Sequence, residues 1–517
     1  MGIRDFVLDR GGALANHWPW LASKMNPIAI NGLANACRTR PHPWSTAHDY
    51  VSWTSLTDQT WSARHLPAVP ESLTTPSADE LTGLFARSGD QAMSHKSTVL
   101  FPAFAQYLTD GFLRTKMPRK GESEDVRLQN TSNHQIDMCP LYGNNAGQTD
   151  VLRLKSDTPG ERGRLRSQFI AGEEWAPFLY EDGKRKAEFT RLDEPLGLKP
   201  EETPALANRV FAFGGDRANA TPHVAMLNTL FLREHNRLAG AMEAANPGWD
   251  DERVFQTARN TVIVEFIQVV VEEYINHISP EIYRLKANPK VAWTAPWNRP
   301  NWMTTEFSLL YRWHSLVPDR ITWGEKAYEI PDMLLNSEPL LNTGLADAFV
   351  GVSAQKAARL GSFNTAAALV PIEKQAIEQG RRVRLAPYAA YRDYMGMSPP
   401  KTFGDISKDR RVVGFLGDVY ESPADVEFYI GLFAEDPGKN TPLPPLILAM
   451  VAVDAFSQAL TNPLLSQHVF NEETFSPTGW ATINGKNTLD AIVRRNTPKG
   501  AVGGPITMTQ PGWKRRR

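Results

Sequence analysis

Phe307-Ser308-Leu309-Leu310-Tyr311-Arg312-Trp313-His314-Ser315-Leu316-Val317-Pro318-Asp319 is the stretch on which the reading of the chain turns. Taken as a helix over 305–316, it places Tyr311 and His314, at i and i+3, on one face with Cβ atoms about 5 to 6 Å apart. An imidazole facing a pocket can bind iron, and a phenol beside it can lose an electron to an oxidised metal centre. The same pair also suits a hydrogen-bonded core histidine among aromatic neighbours, so the segment needs company before it means chemistry.

Outward from it, helical spacing dominates. Thr221 to Ala245 repeats apolar positions with a period near 3.6. So does Glu252 to His277, where Val262, Phe266, Val269, Val270 and Tyr274 share a stripe. Pro247-Gly248 separates the two helices, and Pro-rich turns at 289–300 and 438–445 separate later ones. Strand-like alternation is scarce and no repeat is evident, so the expected fold is mainly α. Residues 41–78 carry Pro41, Pro43, Pro67, Pro70 and Pro76 and read as extended chain over a surface.

Composition removes several classes of function. Lys+Arg is 56 and Asp+Glu is 57 in 517 residues, which leaves no field for nucleic acid or for acidic lipid. Cys37 and Cys139 make neither a disulfide framework nor a zinc site, and read as buried or half-buried thiols. Charges at Arg4, Asp5, Asp9 and Arg10 argue against a cleavable secretion signal. The apolar runs 446–453 and 261–271 are too short or too interrupted to span a bilayer. The expected organisation is an amphipathic helical element over 1–45, a catalytic domain over 46–495, and a Gly/Pro-rich basic tail over 496–517, whose last residues, Lys514 to Arg517, read as solvated. In the first element Leu14, Trp18, Trp20, Leu21, Met25, Ile28, Ile30 and Leu33 form a face that either packs on the body or meets a membrane surface.

The string Tyr311-x-Trp313-His314-x-Leu316-x-Pro318-Asp319 resembles the proximal segment of the cyclooxygenases and related fatty-acid dioxygenases, a branch of the animal-type haem peroxidases. Three further motifs are similar in order and spacing to that family. They are Ala47 to Trp53, then Leu232-Arg233-Glu234-His235-Asn236-Arg237 with Asn246 to Trp249 and Phe255 to Arg259, and finally Asp425 to Leu432. The resemblance covers about residues 45 to 495. It implies a mainly α fold with haem b (iron protoporphyrin IX) between a distal and a proximal helix, His314 as iron ligand and Tyr311 as the hydrogen-abstracting radical. It also implies that Tyr429 lies near the proximal side.

On the distal side the chain departs from the family. Phe104 to Gly111 stands where a Gln-x-x-x-His pattern is expected. Gln106 keeps its place, but Asp110 occupies the histidine position. A carboxylate can do the same acid/base work only if its pKa suits the task. Gly215-Asp216-Arg217 is similar to the segment carrying the distal arginine of the secreted peroxidases. The resemblance therefore gives Arg217 the stabilisation of charge on the departing oxygen, and Arg217 would also hold Asp110 ionised. Gly111 replaces a calcium-binding Asp, while Thr109 and Ala220 replace haem-ester carboxylates. The expectation is no distal calcium and no ester-linked haem. Asn133 to Gly143 resembles a structural helix-to-loop segment.

The lipid channel matches less well. Arg38 or Arg40 stands in for the arginine that holds the fatty-acid carboxylate, but Glu281 occupies the position of its tyrosine partner. Ala455, or Ser457 with a two-residue gap, occupies the position of the serine acetylated by aspirin. A cyclooxygenase product is not implied, whereas a narrower apolar channel lined by the 445–460 helix is consistent with the sequence. The expected function is a tyrosyl-radical fatty-acid oxygenase using a lipid substrate, O₂ and peroxide. The alternatives are a peroxidase of small organic molecules and a haem-binding protein with little turnover. The expected location is cytoplasmic or peripheral to a membrane, with no nucleic-acid partner. Substrate and oligomeric state stay open.

Overall fold

The computed structural model describes residues 12–36, 60–70, 75–119, 121–299 and 301–516; Cys37, Arg38, Arg40 and the 47–53 motif lie outside them. The helices that position the central cavity are α1 (Pro19–Ala34), α2 (Leu100–Phe112), α3 (Pro222–Ala245), α4 (Asp251–Val269), α5 (Thr305–Leu310), α6 (Val370–Arg382), α7 (Phe428–Ala434) and α8 (Pro445–Leu460). Strands β1 (Met93–Thr98), β2 (Arg320–Trp323), β3 (Lys326–Glu329) and β4 (Lys356–Ala358) form antiparallel pairs, β1 with β4 and β2 with β3. The protein is mainly α, as its helical spacing predicts.

Local chemistry sets the two long helices. Thr221 caps α3 by accepting from the Val224 N–H, and Pro222, which has no N–H to leave unpaired, takes the first helical position. Asp250 caps α4 by accepting from the Arg253 N–H at 2.8 Å, and Asp251 and Glu252 complement the helix dipole in its first turn. The predicted stripe is core. Val262, Phe266, Val269, Val270 and Tyr274 are all at most 2% exposed, and each contributes roughly 1.5–3 kcal/mol through burial. Glu265 is buried on the same helix, where Arg495 Nη2 donates to it at 2.5 Å. Among the described residues the span 251–278 alone is long and apolar enough to cross a membrane, and the body encloses most of it. Past Val269 it widens into a π-helical turn, Val270–Ile275, which carries Tyr274.

The N-terminal element has two faces. Ile30 and Ala34 of α1 are buried, Asn26 exchanges hydrogen bonds with the backbone of Lys286, and Trp297 Nε1 donates to Asn31 Oδ1 at 2.7 Å. Leu14, Trp18, Trp20 and Ile28 point outward and are exposed.

One expectation is corrected. The 305–316 segment is not one helix. α5 stops at Leu310, the Trp313 N–H donates to the Tyr311 carbonyl in a tight turn, and a short 3₁₀ turn begins at His314. The C-terminal segment packs on the body before its charged end, where Lys514 and Arg516 are exposed. The Thr98 N–H donates to the Met508 carbonyl, the Gln510 N–H to the Lys96 carbonyl, and Ile506 and Met508 are buried. Two apolar side chains and a β-type pairing along β1 outweigh its charge.

Candidate functional site

α2 divides its faces. Phe101, Phe104 and Leu108 enter the core, while Val99, Ala103, Gln106 and Asp110, at intervals of three and four, line a cavity of about 360 Å³. Tyr311, Arg312, Trp313 and His314 line the same cavity, so the two segments expected to face each other across a cofactor do share one space. The volume lies in the usual range for ligand and cofactor sites.

His314 is oriented from behind. Its Nδ1 lies 3.1 Å from Glu373 Oε1 of α6, a close contact that falls out of line for a full hydrogen bond. Glu373 is buried, accepting from the Thr365 hydroxyl at 3.1 Å and from the Tyr429 hydroxyl. Gly431 allows this packing of α7, because a Cβ there would lie 2.2 Å from Tyr388 Cγ. With Nδ1 facing a carboxylate, Nε2 is the nitrogen left for a ligand in the cavity. Tyr429 thus stands near His314 as expected, but acts through Glu373.

The Tyr311 ring sits against Trp313 (centroids 4.7 Å) and edge-on to Phe307 (4.9 Å). Burial raises the phenol well above its ordinary pKa. The Tyr274 hydroxyl stands close enough to oppose that rise, and Asp454 adds to it. Neither phenol oxygen finds an in-line partner among the described residues.

On the other wall, burial pushes the Asp110 carboxyl up to about 7. Arg217 opposes the shift, Asp216 adds to it, and Arg114 and Arg312 oppose it. The expectation that Arg217 holds Asp110 ionised is overturned. Arg217 Nη1 is committed to Asp216 at 3.1 Å and Nη2 to the Thr115 carbonyl at 3.3 Å, so desolvation of Asp110 wins. Asp110 Oδ2 has no partner among the described residues.

Arg312, Glu373, Tyr274 and His223 were not singled out from the sequence. Arg312 lines the cavity inside the quoted motif itself. Its Nη2 donates to Gln379 at 3.2 Å, its Nε is buried without a partner among the described residues, and burial lowers its pKa. Its place between Tyr311 and Trp313 was the available signal. Glu373 had none, being 59 residues from His314 in the chain. The residues expected along a lipid channel do not reach this cavity. Glu281 is on the surface, and Ala455 and Ser457 belong to α8, which packs against α5 and α1. The Ser457 hydroxyl donates to the Val453 carbonyl at 2.7 Å. Arg38 and Arg40 lie outside the described residues.

A family model described as animal haem peroxidase matches residues 109–505. Prostaglandin G/H synthase 1 of Mus musculus is 29% identical over 472 residues, covering 88% of this chain and 74% of that protein. Prostaglandin G/H synthase 2 of Equus caballus is 27% identical over 500 residues, covering 94% and 78%. Among solved structures, the fatty acid alpha-dioxygenase of Oryza sativa with palmitic acid superposes with a TM-score of 0.69 at 16% identity, covering 96% of this chain and 95% of that one. Peroxidase A of Dictyostelium discoideum superposes with a TM-score of 0.68 at 18% identity, covering 88% and 94%. These two likenesses show the fold.

Proposed function

The chain belongs to the animal haem peroxidase family and is a haem oxidoreductase, and from that premise we propose that it oxygenates unsaturated fatty acids through Tyr311. The observation that carries the proposal is a half-buried tyrosine with an enclosed hydroxyl and a carboxylate-backed histidine, three residues apart, lining one cavity.

The cavity suits a haem. Its walls include Val99, Ile321, Ile330, Met333, Leu369 and Ile372, and half-buried Arg312 brings a positive charge to them. A flat apolar ring with carboxylate arms would satisfy both. His314 Nε2 would hold the iron, with Glu373 fixing the ring orientation and making the imidazole a stronger donor. When bound, haem supplies one-electron oxidising power drawn from peroxide.

The Asp110 carboxyl holds or releases a proton near neutral pH, which suits it to take the peroxide proton and return it to the leaving oxygen. Arg217 lends positive charge to the same wall. Tyr311 Oη loses a hydrogen atom and later recovers one from an allylic carbon of the lipid. O₂ adds to the carbon radical so formed, and the resulting peroxyl radical takes a hydrogen atom back from Tyr311 Oη, leaving a lipid hydroperoxide and renewing the tyrosyl radical. The raised pKa keeps the phenol protonated until that exchange, and the aromatic cage of Phe307 and Trp313 excludes water from it.

Oxygen uptake on oleate, linoleate and arachidonate is the test. The parent protein should consume O₂ with at least one of them and Tyr311→Phe with none; undiminished uptake in Tyr311→Phe would refute the proposal. A second reading, peroxidation of small phenols or amines in the cavity, is favoured by the absence of Glu281, Ala455 and Ser457 from the cavity wall. Guaiacol turnover without lipid-dependent O₂ uptake would support it.

The outward face of the N-terminal element, with Leu14, Trp18, Trp20 and Ile28 exposed, supports resting contact with a lipid surface, from which an apolar substrate would be drawn.

A further inference from the structure

A second cavity, of about 380 Å³, opens between the 168–175 hairpin, the outer face of α3 and the turn at Thr497, and it shares no lining residue with the one that holds Tyr311 and His314. α3 reaches both: His223 lines the first and Gly240 the second, roughly 25 Å further along the helix. Four arginines line the second cavity, Arg164, Arg233, Arg237 and Arg495. Three are matched to carboxylates. Arg233 Nη2 lies 2.8 Å from Glu173, Arg237 Nη2 2.6 Å from Glu234, and Arg495 Nη2 2.8 Å from Glu234 and 2.5 Å from Glu265. The Arg164 side chain makes no hydrogen bond or ion pair among the described residues, and its Nε is buried in that state. Its guanidinium lies over α3 at Gly240, where a Cβ would come within 3.0 Å of Nη2. Glycine weakens a helix interior, and here it leaves the room that the guanidinium occupies.

We propose that this cavity binds a phosphate group, free or carried on a small metabolite, with Arg164 as its principal ligand and Arg237 beside it. The wall holds four arginines against Glu173 and Glu174, with Glu234 and Glu265 beneath; burial, and Glu234 beside it, raise Glu265 well above its ordinary pKa and keep it protonated. Positive charge is therefore in excess. Glu173 is tied to Arg233, and Glu174 accepts from Asn236 at 2.8 Å, so neither is matched to Arg164. Arg237 is exposed and spends Nε and Nη2 on Glu234, which leaves Nη1 without a partner among the described residues. A guanidinium fork meets two oxygens of one phosphate with parallel hydrogen bonds, and a dianion suits two such groups better than a single carboxylate does. Neither haem nor Tyr311 enters this inference.

Inorganic phosphate and glycerol phosphate are the probes, titrated by calorimetry into the full chain at low ionic strength, with and without haem, and acetate is the monovalent comparison. The parent should bind phosphate saturably, with a Kd of about 1 mM or below. Arg164→Gln should weaken it about tenfold, or ~1.4 kcal/mol. Arg164→Lys keeps the charge and loses the fork, so its affinity should fall between the two, and it decides the matter if the Gln variant does not fold. Glu174→Gln keeps an oxygen for Asn236 and removes a negative charge from the wall, so it should bind phosphate several-fold more tightly. Tighter binding of the ester than of inorganic phosphate identifies a phosphorylated metabolite as the ligand, and the reverse identifies free phosphate. No saturable phosphate binding by the parent overturns the proposal. So does affinity equal to the parent's in Arg164→Gln or, failing that variant, in Arg164→Lys, and so does acetate bound as tightly as phosphate.

Discussion

Asp110→Asn separates charge from shape on the cavity wall. Burial lifts the Asp110 carboxyl from 3.8 to about 7 against the pull of Arg217, Arg114 and Arg312. The folded-state value lies above the unfolded one, so the native protein binds this proton more tightly than the unfolded chain does. The stability it contributes is fully present below the unfolded value and is lost as pH rises through the folded value. At about 1.36 kcal/mol per pH unit the displacement is worth ~4 kcal/mol, a ceiling because water in the cavity screens the charge. Asn cannot ionise, so unloaded Asp110→Asn should melt with the parent in acid and above it on the alkaline side of neutrality. Activity carries the opposite sign, since a base works only when ionised. Peroxide consumption by the haem-loaded parent should rise about tenfold per pH unit below neutrality and level off above about pH 7. In Asp110→Asn that step should vanish and the rate fall roughly 10²–10⁴-fold. Stopped-flow absorbance across the range measures both effects. The same pH step surviving in the Asn variant would refute the reasoning.

Glu373→Gln removes the carboxylate beside His314 Nδ1, and haem affinity should fall roughly 10–100-fold in a spectrophotometric titration; unaltered affinity would mean that His314 is positioned by something else. Gly214→Ala would set a Cβ 2.1 Å from the Gly143 nitrogen and 2.3 Å from the Cys139 carbonyl oxygen, both backbone atoms beneath the loop that presents Arg217. It should cost at least ~3 kcal/mol or prevent folding, and a melting curve matching the parent's would contradict the packing described. Replacing Trp18 and Trp20 with Ser should reduce sedimentation with phospholipid vesicles by about tenfold for each ring buried. Equal sedimentation of parent and variant would remove α1 from any membrane contact.

Periodicity and punctuation carried the helical reading. The stripe Val262 to Tyr274 and the Thr221-Pro222 start are local signals, because a helix repeats every few residues and its caps lie next to it. The same logic failed at 305–316, where a helix period was read through a segment that turns at Trp313. Nor could it show that the 506–510 segment finds its partners along β1, some 400 residues earlier in the chain. Of the site, Tyr311, His314, Gln106, Asp110 and Arg217 were legible because they sit in ordered motifs, whereas Glu373 matters only through what folding brings beside it.

The amino-acid order by itself determined the two long helices, which family the chain joins, and that an aspartate replaces a histidine on the distal helix. Only the tertiary structure decided that aspartate's protonation, the carboxylate behind His314, and the exclusion of Glu281, Ala455 and Ser457 from the cavity wall. The physical reason is range. Helix propensity and capping act over a few residues of chain, whereas desolvation and charge act over ångströms of space and are indifferent to sequence distance.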